Sequence, residues 1–148
     1  MAIEVYLNFN GNCREAVEFY SQAFNTPMQP IMTFGDGEAS AEFPIPENAK
    51  HLVMHTYLTI AGDRVMFSDA FPGQPVTCGD NINVTIMSDN IDEIKAHFVA
   101  IHEGVTIAMD LQETFWSKCF GMVTDRFGVV WQFSHSAKKT ADTGSHRS

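Results

Sequence analysis

A pattern that occurs twice limits this chain more than any other feature. Ile3, Val5, Leu7 and Phe9 alternate with Glu4, Tyr6 and Asn8, the period of two that marks a strand with one buried face. Asn10 and Gly11 then turn the chain. Asn12 with Glu15 has the spacing of a helix-capping box, and Cys13, Ala16, Val17, Tyr20 and Phe24 recur at helical intervals, with Pro27 beyond the end. In the second half Ile82, Val84 and Ile86 alternate, Asn90 and Glu93 repeat the cap, and Ile91, Ile94, Phe98 and Ile101 form the stripe that Gly104 ends. Asn12 to Asn90 and Glu15 to Glu93 share one offset of 78 residues, which also lays Tyr20 on Phe98. The likeness is one of pattern rather than identity.

After each helix the sequence returns to strand-like stretches, at 28–34, 51–60 and 64–69 in the first half and at 105–112, 118–124 and 129–135 in the second. Turn residues at 61–63 and 125–128 join the last two strands of each half. This predicts an α+β fold of two β-α-β-β-β modules, about 1–72 and 79–136, in a single domain 1–136. Residues 35–50, with two prolines, read as a long loop of the kind that covers a site. Residues 137–148 have no apolar side chain larger than alanine and read as a flexible tail.

The charge balance narrows the partners. A net charge of −9 disfavours nucleic acid and anionic lipid, which call for clustered Lys and Arg, so a small-molecule or protein partner is expected. No apolar run approaches membrane-spanning length and no signal-like start is present, which predicts a cytoplasmic protein. Cys13, Cys78 and Cys119 are too scattered for a disulfide framework or a zinc knuckle and read as free thiols.

Three strings carry a family resemblance: YLNFNGNCREAVEFYSQAF at 6–24, HTYLTIAGDRVMFSDAFPG at 55–73 and ETFWSKCFGMVTDRFGVVWQF at 113–133. They resemble the PhnB-type, 3-demethylubiquinone methyltransferase-like branch of the vicinal oxygen chelate superfamily, over residue 3 to about residue 135. That resemblance implies two β-α-β-β-β modules forming a curled mixed sheet around a cavity, helices outside, and a homodimer. It does not establish a methyltransferase. The only candidate for a cofactor-cradling glycine turn is Gly35-Asp36-Gly37, followed by Pro44 and Pro46 where a helix would be needed, so methyltransferase activity is not expected.

Metal-dependent members of the superfamily take His or Glu ligands from the first and last strands of each half. Laid on that pattern, the four positions become Val5, Ser68 or its neighbour Asp69, Asn83 and Gln132. Val5 cannot ligate and the others lack the charge and softness that hold a transition ion, so neither a metal nor another cofactor is expected. Gln132 is either an amide turned toward a ligand or a structural amide tying neighbouring strands. His51 and His55, four apart on a strand, lie about 13 Å from each other, too far to share an ion.

The remaining candidates are side chains with two readings each. His55 is either a hydrogen-bonding or proton-transferring group in the cavity or a half-buried histidine held by backbone. Asp69 precedes a Pro-Gly turn, where an aspartate commonly serves the backbone. Phe115 and Trp116 can stack a flat ligand, or belong to the core or a dimer contact. Together His55, Asp69, Phe115, Trp116 and Gln132 form the expected ligand-binding set. The expected function is small-molecule binding without a tightly held metal. The alternative is a metal-dependent lyase, isomerase or dioxygenase of the same superfamily.

Overall fold

Alternating side chains build the first strand, β1 (Val5–Phe9), and the helical stripe builds α1 (Cys13–Ala23). In the computed structural model, residues 1–37 and 44–136 are described; the expected tail, 137–148, and the middle of the expected 35–50 loop lie outside them. After α1 come β2 (Met32–Thr33), β3 (Val53–Ile60) and β4 (Asp63–Asp69). The second half supplies β5 (Val84–Ser88), α2 (Ile91–Ala100), β6 (Thr106–Gln112), β7 (Phe120–Thr124) and β8 (Val130–His135). Each half is thus β-α-β-β-β.

The chain divides into two compact units, Met1–Asn81 and Ile82–Ser148. Each holds one open four-stranded mixed sheet, in the order β1-β4-β3-β2 and β5-β8-β7-β6. In both, the first strand pairs parallel with the last, Phe9 opposite Asp69 and Ser88 opposite His135, while the inner pairs are antiparallel. Parallel pairing of first and last strands is what a helical crossover permits and a hairpin forbids.

In unit 1, Cys13, Ala16, Val17 and Tyr20 of α1 are buried against the sheet, where Tyr20 meets Phe67 at a ring separation of 5.8 Å. The side chains that register with Phe67 and Val65 face this helix; their neighbours along each strand face away, because successive residues alternate. The helix ends in a Schellman motif. Thr26 N–H donates to Ser21 O at 3.0 Å and Asn25 N–H to Gln22 O at 3.3 Å, with Asn25 left-handed at φ 50°.

In unit 2, Ile94 and Phe98 of α2 are buried, and Phe98 packs edge-on against Phe133 at 5.6 Å. Gly121 makes that approach possible: a Cβ there would lie 2.9 Å from the Phe98 ring and 2.8 Å from Leu111.

Two expectations need correction. Strand-like residues at 28–34 yield only a two-residue β2, because Pro27 and Pro30 flank or enter the stretch and cannot donate to a ladder. Asn12 occupies the N-cap position of α1 without a side-chain cap bond; the Asp69 carboxylate takes over that work. Asn90 does cap α2, its side chain accepting from Glu93 N–H at 3.2 Å.

Candidate functional site

Gln132 lies between Trp131 and Phe133, both with no exposed surface beneath α2, so its own side chain emerges on the opposite, open face of the sheet. There its Nε2 donates to Asn83 Oδ1 at 2.8 Å and approaches Met122 Sδ at 3.7 Å. Thr85 Oγ1 donates to its Oε1 at 3.5 Å. These bonds are those of the structural reading: the amide ties β8 to the strand beside it.

The same open face carries Met87 and Ser134, which register with each other one step further along β5 and β8. Beyond them the sheet ends in a cleft of about 430 Å³, lined by Met87, Phe115, Trp116, Lys118, Ser134 and His135 among others. Phe115 is 97% and Trp116 54% exposed, their rings 4.8 Å apart and nearly perpendicular. Trp116 also meets Phe120 edge-on at 5.3 Å. The turn bearing them is pinned: Thr114 N–H donates to Ser117 O at 2.8 Å and Ser117 N–H to Thr114 Oγ1 at 3.1 Å. Ser117, 7% exposed, contributes its hydroxyl to the carbonyls of Cys119 and His135 at 2.9 and 3.0 Å.

Unit 1 presents a second polar surface on the face away from α1. His55 is half-buried, its Nδ1 3.4 Å from Tyr6 Oη and the two rings 5.9 Å apart. Ser68 Oγ donates to Asn8 Oδ1 at 2.9 Å. Arg64 donates from Nε and Nη2 to Glu4 Oε1 at 3.0 and 2.7 Å and stands over the Tyr57 ring. Tyr6, which contacts the candidate His55, is a residue that sequence reasoning passed over. The signal was present, since alternation in β1 puts Tyr6 and Asn8 on the face opposite Phe9.

Asp69 lies on the other side of that sheet, in register with Phe9, and is 3% exposed. Oδ1 accepts Gly11 N–H at 2.8 Å and Cys13 N–H at 3.0 Å, and Oδ2 accepts Val53 N–H at 2.9 Å. The carboxylate fastens the start of α1 to the start of β3, which is the backbone-serving reading of this residue. Asp125 does the same in unit 2, accepting Phe127 N–H, Val129 N–H and the Trp131 indole N–H at 2.8–3.0 Å. Its place in the turn before β8 explains why Trp131 can be wholly buried with its N–H satisfied.

Could this chain hold the divalent ion that the resemblance noted in its sequence implies? Val5 is apolar and registers with Val65, on the helix side of the sheet. Ser68 gives its hydroxyl to Asn8, and the amides of Asn83 and Gln132 are bonded to each other. Such a set does not fit a transition ion. Among the described residues, no group of three or more His, Cys, Asp or Glu comes together that could hold a metal. Cys13 and Cys119 are buried and Cys78 is exposed; burial and the neighbouring Asp69 carboxylate push the Cys13 thiol well above its ordinary range, so it stays protonated. Gly35 and Asp36 belong to a 3-10 turn, Phe34–Asp36, that follows the short β2, with Gly37 as its C-cap; the residues after Gly37, where the expected absence of a helix falls, lie outside the described ones. Among the described residues no helix is long and apolar enough to cross a membrane.

Comparison with known proteins places this arrangement in context. The sequence model of the family described as 3-demethylubiquinone-9 3-methyltransferase matches residues 1–134. Protein YjdN of Escherichia coli K12 is 31% identical over 143 residues, covering 90% of this chain and 95% of that protein. The crystal structure of PA1353 from Pseudomonas aeruginosa superposes with a TM-score of 0.79 at 35% identity, covering 93% of this chain and 99% of that one. The fosfomycin resistance protein FosX of Listeria monocytogenes shares the fold alone, with a TM-score of 0.62 at 10% identity over 90% of this chain and 91% of its own. With the duplicated β-α-β-β-β units and the family match over nearly all of the described residues, this chain belongs to the 3-demethylubiquinone-9 3-methyltransferase family.

Proposed function

We propose that this chain is a small-molecule-binding protein that works without a tightly bound metal. The observation that carries the reading is the Gln132 amide, held by Asn83 and Thr85 on the open face of its sheet. Neutral amides and hydroxyls in that position recognise a ligand by hydrogen bonds and offer a cation little. Phe115 and Trp116 supply the apolar wall in unit 2, and His55 with Tyr6 a polar contact in unit 1. Asp69 is left to the backbone, since three N–H groups already occupy it.

A second reading, an enzyme of the same superfamily, draws on one observation. The Tyr6 hydroxyl lies 3.4 Å from His55 Nδ1, a pair that can relay a proton to or from a bound substrate. Metal analysis of the purified protein, with thermal-shift titration of transition ions, S-adenosylmethionine and a panel of small organic molecules, separates the readings. Stabilisation by organic molecules in metal-free protein is the expected result. A stoichiometric transition ion, or stabilisation by S-adenosylmethionine alone, refutes the proposal.

A further inference from the structure

Phe115 and Trp116 occupy the tip of a turn that is fixed from below. Full exposure of a phenylalanine on a mobile loop would be unremarkable, because such a ring can fold back onto the surface. Here the Thr114–Ser117 hydrogen bonds close the turn, and the buried Ser117 hydroxyl anchors it to the carbonyls of Cys119 and His135. The backbone of the turn is therefore fixed beside the cleft, and the Trp116 ring rests edge-on against Phe115 and Phe120.

We infer that this cleft is a binding site for a neutral, planar heteroaromatic molecule, which stacks against Trp116. The inference rests on the binding reading above and adds the ligand class. The cleft, about 430 Å³, is within the range of sites that enclose small organic ligands. Neither neighbouring ring lies parallel to the indole, the interplanar angles being 84° and 72°, and more than half of Trp116 is exposed to an incoming ring. Met87 adds a polarizable thioether wall that adapts to ring shape. At the rim stand Glu113 as acceptor, Lys118 as donor and Ser136 as both, which suits a ring edge bearing both donors and acceptors. The rim carries one charge of each sign, Glu113 and Lys118, and so selects for neither an anion nor a cation.

The chain has two tryptophans, and they are distinguishable: Trp131 is fully buried with its indole N–H on Asp125 at 2.8 Å. Titration of the full chain with quinazolin-4-one, followed through the two indole N–H resonances in a 15N–1H spectrum, tests the proposal. The Trp116 resonance should shift saturably while that of Trp131 stays. Cyclohexanecarboxamide, with a similar amide but no aromatic ring, should leave both unmoved. Phe115→Ala and Trp116→Ala should weaken binding by roughly tenfold; for Trp116→Ala this is read by calorimetry, with the unchanged Trp131 resonance confirming the fold. Equal response to the two compounds, or no response to quinazolin-4-one, overturns the assignment. So does a Trp116 resonance that moves on dilution, which would assign the aromatic pair to a contact with a second copy. An organic molecule that stabilises the protein without moving Trp116 overturns this site and keeps the binding reading; a stoichiometric metal overturns the binding reading itself.

Discussion

Replacing Asp69 by Asn separates a structural carboxylate from a ligand-facing one. In the native protein its two oxygens receive Gly11 N–H, Cys13 N–H and Val53 N–H at 2.8–3.0 Å, and the side chain is 3% exposed. An amide has one oxygen. It can keep the two donors at the start of α1, but its NH2 then confronts Val53 N–H. One charge-assisted bond is lost, about 1.5–3 kcal/mol, and one buried donor is left facing another, about 1–3 kcal/mol. We expect Asp69→Asn to destabilise by about 3–4 kcal/mol, a fall in Tm of roughly 6–16 °C for a chain of this size. Urea unfolding followed by far-ultraviolet circular dichroism measures it. Both tryptophans belong to unit 2, so fluorescence in the same experiment follows that unit alone and shows whether the two units unfold together. A variant within about 0.5 kcal/mol of the native protein that has lost its response to ligand would refute the argument, because the carboxylate would then be facing the ligand instead of the backbone.

Two further substitutions test the sheet geometry on which the candidate surfaces depend. Ala61 and Gly62 form the two-residue turn between the paired Ile60 and Asp63, with φ of 53° and 86°. A left-handed alanine is strained there and asparagine is suited to it, so Ala61→Asn should raise stability by about 0.5–1 kcal/mol in urea unfolding. Gly121→Ala would push a Cβ to within 2.9 Å of the Phe98 ring and 3.2 Å of Met109 O; a loss of about 1–3 kcal/mol is expected in the same assay, and an unchanged midpoint would show that α2 does not rest on β7 as described.

Most of the fold was legible because it is written in periodicity. The stripe Cys13, Ala16, Val17, Tyr20 and Phe24 is the buried face of α1, and the offset between Asn12 and Asn90 marks the starts of both helices. The short strand β2 was overestimated because hydrophobic content at 28–34 says nothing of ladder donors lost to proline. Site residues were less legible. Gln132 stood out as one polar residue in an apolar run, but its partner Asn83 lies 49 positions away and no local signal joins them. Asp69 could not be allotted from sequence, since a carboxylate that holds backbone and one that holds a ligand look alike until the N–H groups around it are in place. Tyr6 was hidden by its own regularity: in an alternating strand, the polar-face residue draws no notice.

The duplication also shows how the two units diverge at the ends of their last strands. Asp69 and His135 end the last strands of their units and stand opposite equivalent residues, Phe9 and Ser88. In unit 1 the side chain at this place is consumed by the helix start, because Asn12 makes no cap bond and the carboxylate substitutes for it. In unit 2 Asn90 caps its own helix, and Ser88 Oγ accepts Asn90 N–H at 3.0 Å, so the helix start needs nothing from β8. His135 borders both the cleft beside Trp116 and a hollow with Asp89, Asn90, Ile91 and Asp92 at the start of α2. Two copies of one pattern have divided the work: where the terminal strand residue closes the helix, the unit gains a clamp, and where the helix closes itself, the terminal strand residue is an imidazole at the border of the cleft.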